Sequence, residues 1–503
     1  MKRPNILLII TDSQGSNVLG SSGAGHIKTP NIDGLADTGV SFSRAYNTCP
    51  LCTPARAGLF CGLYPHNAGA WSNDLPFGTN VPSMGAFFSR IGYEAAYIGK
   101  WHLDGTDYFG TGICPDGWNP RYWYDGRNYL EDLSVEERAL WRRGLRTSKA
   151  IHEHGITREW TWAGRITDKA GSFIENQRIN NPENPWLLVV SYDEPHGPSV
   201  CPPPFCDMYE DFAYPLADNA GDSLEGKPAH HREWAATFTI PEDGLRQRLY
   251  FGAGSFVDDE IGRVIDAARA NGAEDTIIIY TTDHGHYLGA HGLDGKGPAM
   301  YEEVIRVPFI VNGPGVAHGA KSDSLLSQVD VLPTLLDMTG TEAPEILEGV
   351  SQTAALADPD KKVRTEILSE FHRFSVTHDS WFGFVLIRSL VSQRYKLTIN
   401  LDYSDELYDL EGDPGEIHNR INDPALASVR AGLHNKLLSL MDTSRDPFRG
   451  PRWAARSWAD RAVPPGIGGS RRPRSKDGFL PVPFSYNTGM PAESRAAEDS
   501  VEN

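Results

Sequence analysis

A chain of 503 residues that is 40% hydrophobic and 22% charged can bury a large core, which excludes a disordered or fibrous protein. Its 66 acidic and 47 basic residues leave a net charge of −19, so neither nucleic acid nor an anionic membrane is expected as a partner of its general surface. Six cysteines are too few for a disulfide framework and fit a reducing compartment.

The chain opens MKRPNILLII and passes at once to Thr11-Asp12-Ser13-Gln14, with no small-residue cleavage site. A signal peptide is therefore not expected, no apolar run reaches the length of a membrane span, and the expected compartment is the cytoplasm. Residues 5–10, 186–191 (WLLVVS) and 276–280 (TIIIY) are continuous apolar runs bounded by polar residues, the pattern of strands buried on both faces. Helical stretches lie between them, at 31–38, 82–91 and 246–270. This alternation predicts an α/β fold over residues 1–364, a large, mostly parallel sheet sandwiched by helices. From residue 365 the pattern changes. FGFVLIRSLVSQRYKLTINL reads as two strands with a polar break, ELYDLEGDPGE as strand and turn, and 425–441 as an amphipathic helix, together a small C-terminal α+β subdomain over 365–443. The tail, 444–503, is rich in Pro, Arg, Gly and Ser yet carries Trp453, Trp458, Phe479 and Phe484. Those aromatics predict that it packs on the body or on a neighbouring subunit, and a homo-oligomer is the corresponding expectation.

In such sheets ligands bind beyond the carboxyl ends of the strands. Asp12, Asp193-Glu194-Pro195-His196 and Asp283-His284 each follow an apolar strand. A lone Asp there can be only a helix N-cap, but together these groups can gather oxygens and an imidazole around one divalent cation. Cys52-Thr53-Pro54-Ala55-Arg56 opens a helical stretch. Cys52 there is either a buried small hydrophobe or a nucleophile whose thiolate is favoured by the helix dipole and Arg56. Cys49 and Cys52 form a CxxC and Cys201 and Cys206 lie close, but neither has the second pair or thioredoxin-like context that a zinc or redox site needs. Lys100 and His102 flank Trp101 after the apolar AAYI; on a strand they share one face. Lys296 sits in the Gly-rich loop HGLDGKGP, where a lysine is ordinarily solvated. Carboxylates at three strand ends, with Lys100, Lys296, His102 and His196 beside them, suit a small tetrahedral oxyanion. The residues alone thus point to a metal-assisted hydrolase of a sulfate or phosphate ester.

The chain also resembles the type I sulfatases of the alkaline phosphatase superfamily, from Pro4 to about Met441. Cys52-Thr53-Pro54-Ala55-Arg56 matches that family's Cys-x-Pro-x-Arg signature, and Tyr97 through Leu103 (YIGKWHL) its second. Pro195-His196-Gly197-Pro198, the run from Thr282-Asp283-His284-Gly285 through Lys296 to Arg306-Val307-Pro308, and Glu406 through Leu410 with Asp413 through Glu416 follow in family order. The resemblance implies oxidation of Cys52 to formylglycine by a formylglycine-generating enzyme. One hydroxyl of the hydrated aldehyde would attack sulfur in line, and the other would expel sulfate. It further implies that Asp12, Asp283, His284 and residue 52 hold a metal, that Lys100, Lys296 and His196 hold the sulfate oxygens, and that Arg56 holds the gem-diol. His102 would be the base of the second step, and His196 or Lys296 would protonate the leaving oxygen.

Three positions depart from the pattern. Ser13 and Gln14 follow Asp12 where a second acid is usual, so Gln14 is a candidate ligand through its amide oxygen. His284 replaces the usual Asn, and Cys61-Gly62 replaces Thr-Gly. Ca²⁺ is the first expectation for the metal, and the imidazole admits Mn²⁺ or Mg²⁺. The rival readings are a phosphonate monoester or phosphodiester hydrolase, against which the Lys100/His102 pair counts, and a non-catalytic binder of sulfated glycans. The expected substrate is a sulfated saccharide. Candidates to line its pocket are Asn73-Asp74, residues 104–108, the aromatic stretch 121–129 and residues 370–372. Tyr122, Trp123 and Tyr124 could stack on a sugar ring or form a packed loop, and Arg121 and Arg127 could meet a uronate carboxylate.

Overall fold

The computed structural model describes residues 3–459 apart from 24–25, 106–107, 242–243, 271–274 and 376–382. Eight strands form the main sheet: β1 (Asn5–Asp12), β2 (Val40–Tyr46), β3 (Glu94–Gly99), β4 (Trp186–Pro195), β5 (Thr276–Thr282), β6 (Arg306–Asn312), β7 (Ala320–Ser322) and β8 (Leu326–Ser327). Their order is β3-β4-β1-β5-β6-β2-β7, with β8 also on β2. β3, β4, β1 and β5 run parallel, and β6 is antiparallel to both β5 and β2.

Continuous apolar runs are explained by burial of both faces. Ile6, Leu8 and Ile10 of β1 join Leu187, Val189, Ile277 and Ile279 in one core, and Leu7 and Ile9 join Leu188, Val190, Ile278 and Tyr280 in the other. Each such side chain contributes about 1.5–3 kcal/mol by leaving water. Helices α1 (Pro30–Thr38), α4 (Trp162–Asn180) and α5 (Arg248–Ala270) cover the second core through Ile32, Ile166 and Phe256. Helices α2 (Cys52–Cys61), α3 (Met84–Arg90) and α6 (Val331–Met338) cover the first through Phe60, Phe88 and Leu335. Strands β3 and β4 converge where the site begins. A Cβ on Gly99, whose φ is 120°, would lie 1.9 Å from the Ser191 carbonyl oxygen, so only glycine lets β3 pass so close.

The second sheet is antiparallel, with β9 (Glu366–Arg373), β10 (Phe384–Ser392), β11 (Tyr395–Asn400) and β12 (Glu406–Asp409) in the order β12-β11-β10-β9. Helix α7 (Ala427–Thr443) packs Leu433, Leu437 and Met441 on Leu390, Leu397 and Leu407. Trp453 and Trp458 pack on this same core; Phe479 and Phe484 lie outside the described residues. No helix among the described residues is long and apolar enough to cross a membrane.

The two sheets meet at a buried charge network. The Glu370 N–H donates to the Thr48 carbonyl at 2.8 Å, and the Glu370 carboxylate meets the His66 ring at 2.6 Å. Arg388 lies 2.7 Å from Asp446 and 3.4 Å from Glu370. Burial alone would raise the Glu370 carboxyl, but His66 and Arg388 outweigh it and hold it below its ordinary range. Residues 370–372 therefore lie inside strand β9 and do not line a pocket as the sequence suggested. His66, Glu370 and Asp446 converge closely enough for a cation, and Arg388 already supplies that charge. Arg388→Met should leave these carboxylates buried with too little countercharge, at a cost of about 3–5 kcal/mol. The shift of the urea midpoint measures it; a loss below about 1 kcal/mol, the range of exposed pairs, would contradict the account.

Candidate active site

The carboxyl ends of β1, β4 and β5 and the first turn of α2 converge on one buried cluster. Cys52 is the first residue of α2, and every residue of that helix is buried. The free N–H of Thr53 donates to Asn73 Oδ1 at 3.1 Å, and Thr53 Oγ1 donates to the His102 carbonyl at 2.9 Å, which fixes the helix start. Asn73, expected to touch substrate, thus spends its oxygen on the turn that carries Cys52.

Cys52 Sγ lies 2.7 Å from Lys296 Nζ, 3.3 Å from His284 Nε2 and 3.8 Å from Asp12 Oδ1. Burial and Asp12 push its thiol up, yet Lys296, Lys100 and His284 overcome both and hold it at about 7. The other five thiols are all free and all raised, chiefly by burial, those of Cys61, Cys114 and Cys206 to about 12, 11 and 11 and those of Cys49 and Cys201 well above the ordinary thiol range. Cys61 donates to the Ala57 carbonyl at 2.9 Å within its own helix.

Arg56, one turn below Cys52, is buried and binds the site together. Its Nε lies 3.0 Å from Asp283 Oδ2, its Nη2 3.5 Å from Asp12 Oδ2, and its Nη1 donates to the Lys100 carbonyl and Ser191 Oγ at 2.8 Å each. Ligand atoms of Asp12, Cys52, Asp283 and His284 all lie within 4.8 Å of one another. Burial and the nearby Asp12 push the Asp283 carboxyl up to about 6 despite His284 and Arg56. His284 Nδ1 lies 2.8 Å from the Gly285 carbonyl, an acceptor only, so Nδ1 carries a proton and Nε2 is the ring atom that faces the cluster, 2.8 Å from Lys296 Nζ and 3.6 Å from Asp283 Oδ1. This chemistry fits a divalent cation.

Gln14 Oε1 accepts from the Tyr280 hydroxyl at 3.0 Å, which uses one of its two lone pairs. A correction concerns Lys100 and His102. β3 stops at Gly99, and the two side chains follow in a loop, with His102 at a left-handed φ of 57°. They still reach the site. Lys100 Nζ lies 2.7 Å from Asp12 Oδ2 and 2.9 Å from Asp193 Oδ1. Burial, then Lys100 and Arg56, push the His102 imidazole down to about 3, so it is neutral. His196 Nδ1 lies 2.8 Å from the Tyr108 hydroxyl. Lys296, which a sequence would leave in solvent, has a side chain only 11% exposed.

The aromatic stretch is a packed loop that runs into a short helix, Gly126–Glu131, and its rings are engaged by the body of the protein. Trp123 stacks on Tyr97 at 5.4 Å, Tyr122 packs edge-on against Phe173 at 4.8 Å, and the Tyr124 hydroxyl donates to Asp132 at 2.9 Å. Arg121 lies over Tyr122, and Arg127 donates to the Gly110 carbonyl. The sequence does not single out Ser191, and it includes Tyr108 only as the end of the candidate stretch 104–108; neither belongs to a motif of its own.

A family model described as Sulfatase matches residues 4–341, well over half of the chain, and one described as N-sulphoglucosamine sulphohydrolase, C-terminal, matches residues 289–443. The chain belongs to the sulfatase family. This sulfatase is 44% identical over 502 residues to the uncharacterized sulfatase YidJ of Escherichia coli (strain K12), spanning 99% of each chain. It is 29% identical over 448 residues to the choline-sulfatase of Rhizobium meliloti (strain 1021), covering 84% of this chain and 83% of that one. Among solved structures it shares its fold with a protein in complex with its substrate D-glucosamine-2-N,6-O-disulfate, at a TM-score of 0.72 and 21% identity over 89% of this chain and 99% of that one. It is also similar to the phosphonate monoester hydrolase of Agrobacterium radiobacter, at a TM-score of 0.70 and 25% identity over 88% and 96% of the two chains. This sulfatase is a sulfuric ester hydrolase with an alkaline phosphatase-like fold.

In unconverted, chelator-treated protein a single thiol should titrate near pH 7 by ultraviolet thiolate absorbance, and Cys52→Ser should abolish that step. Lys296→Met should move it upward, because the largest stabilising charge is gone. A step that survives Cys52→Ser would contradict the assignment.

Proposed function

We propose that this sulfatase cleaves a carbohydrate sulfate monoester at a divalent cation site, after a formylglycine-generating enzyme has converted Cys52 to formylglycine. The observation that carries the reading is the position of Cys52 Sγ, at a helix start and surrounded by Asp12, Asp283, His284 and Lys296. Asp12, Asp283, His284 and residue 52 would hold the cation. Bound there, it would supply positive charge to an ester oxygen and favour ionisation of a hydroxyl on residue 52. Ca²⁺ is the first expectation, and the imidazole of His284 extends the choice to Mn²⁺ or Mg²⁺. Hydrated formylglycine would supply two hydroxyls on one carbon, one to attack sulfur and one to let the aldehyde reform.

The chain's own residues divide the remaining work. Lys100 and Lys296 neutralise the sulfate oxygens, and being already buried and fixed they need little reorganisation as charge develops. Arg56 holds Asp283 and Asp12 in place and keeps their charge compensated. His102 is neutral, and its Nδ1 has no hydrogen-bond partner among the described residues, so it can take a proton from residue 52. His196 faces the site from the end of β4 and can give a proton to the departing alcohol oxygen, a role that Lys296 could share. The disulfated glucosamine bound as substrate by the structural neighbour supports a saccharide.

Cys52→Ala should lower kcat by more than about 10³-fold while the far-ultraviolet spectrum stays unchanged, because the nucleophile and one ligand atom are lost and the fold is not touched. Asp283→Asn should remove turnover and bound metal together, read by metal analysis of the purified protein; retained activity with retained metal would overturn the ligand set. A desulfation screen of sulfated mono- and disaccharides tests the substrate class. Activity confined to choline or aryl sulfates would contradict it.

A further inference from the structure

The hydroxyl of Tyr108 has three partners at once. It lies 2.7 Å from Lys100 Nζ and 2.8 Å from His196 Nδ1, and it donates to Asp193 Oδ1. A phenol has one proton to give and two lone pairs to receive. Lys100 can only donate, and its ammonium also lies 3.9 Å over the centre of the Tyr108 ring. His196 Nδ1 is also 2.9 Å from the Gly197 carbonyl, which can only accept, so this ring nitrogen carries a proton. The assignment is therefore unique. Tyr108 gives its proton to Asp193 and receives from Lys100 and His196, and every hydrogen-bonding position on its oxygen is used. The ring itself is clamped between His102 and His196, each with its centroid 5.2 Å away.

Two consequences follow for His196. With Nδ1 committed to Tyr108 and Gly197, Nε2 is the ring atom left for a substrate. Burial, Lys296 and Lys100 hold the His196 imidazole well below its ordinary range in the substrate-free site. The carboxylate of Asp193, linked through the Tyr108 hydroxyl, and the charge of a bound ester oppose them, in the arrangement by which a carboxylate orients a histidine and supports its cationic form. We propose that Tyr108 is a positioning residue that links Asp193 to His196 and so equips His196 to protonate the leaving alcohol. The inference rests on the sulfatase reading and assigns one of the two proton donors left open there. As the sulfur–oxygen bond breaks, its electron pair goes to the alcohol oxygen and the proton moves from His196 Nε2 to that oxygen. The imidazole is left neutral with its Nδ1 proton still directed at Tyr108. Tyr108 keeps its own proton throughout, and Asp193 stays ionised.

Tyr108→Phe isolates the link. It keeps the ring and its stacking, and Lys100 retains Asp12 and Asp193 as partners. The probes are 4-nitrophenyl sulfate, whose leaving group needs no proton, and 4-methylphenyl sulfate, whose leaving group does. Both are assayed with converted, metal-loaded protein. Tyr108→Phe should keep kcat/KM on the nitrophenyl ester within about threefold of the parent, and lose at least about tenfold more on the methylphenyl ester, a loss in the range of general-acid catalysis. An equal loss on both esters would make Tyr108 a structural residue only and overturn the proposal, as would equal retention on both. A parent protein that desulfates neither these esters nor any sulfated saccharide would instead overturn the proposed function, and this inference with it.

Discussion

The site depends on burying opposite charges in balance. Asp12 and Asp283 are fully enclosed at the ends of adjacent parallel strands, where two like charges would otherwise repel across a poorly solvated gap. Arg56 and Lys100, equally buried, are the fixed counterions. In the proposed function a cation held by the carboxylates would complete that balance, and the anionic oxygens of a sulfate ester would meet Lys100 and Lys296.

The fold serves this balance by register. β1 pairs with β4 on one side and β5 on the other, so that Asp12 meets Pro195 in the ladder while Thr11 meets Thr282, one residue short of Asp283. The register slips between Ile10 and Asp12, and β4 continues to Pro195, which carries Asp193 and Glu194 within the strand. The second sheet contributes at a distance. Through Thr48 and the network of Glu370, His66 and Arg388 it braces the segment that leads into Cys52.

Much of this was legible in the sequence, because contiguous signals carried it. Apolar runs bounded by acids located β1, β4 and β5 and their reactive ends, and Cys-x-Pro-x-Arg located the helix start. The change of pattern near residue 365 matched the antiparallel sheet. The sequence left matters open, or misplaced them, where contacts between distant segments decide. The turn after Gly99 follows from its close approach to Ser191, which no local propensity reports. Gln14 turns to Tyr280 because β5 lies beside β1. The 121–129 stretch has the composition of a sugar platform and the packing of a core, since Tyr97, Phe173 and Asp132 claim its rings. Tyr108 sits in an aperiodic loop, and only the approach of Lys100, Asp193 and His196 gives it meaning.

The account turns on residue 52, and mass spectrometry of the tryptic peptide 45–56 addresses it most directly. The protein would be made alongside a formylglycine-generating enzyme, with fragmentation to separate residue 52 from Cys49. The account predicts an aldehyde at residue 52 and an intact thiol at Cys49. A thiol retained at residue 52 despite a competent maturation enzyme would contradict it, and would leave the cluster of Asp12, Asp283 and His284 without the nucleophile it surrounds.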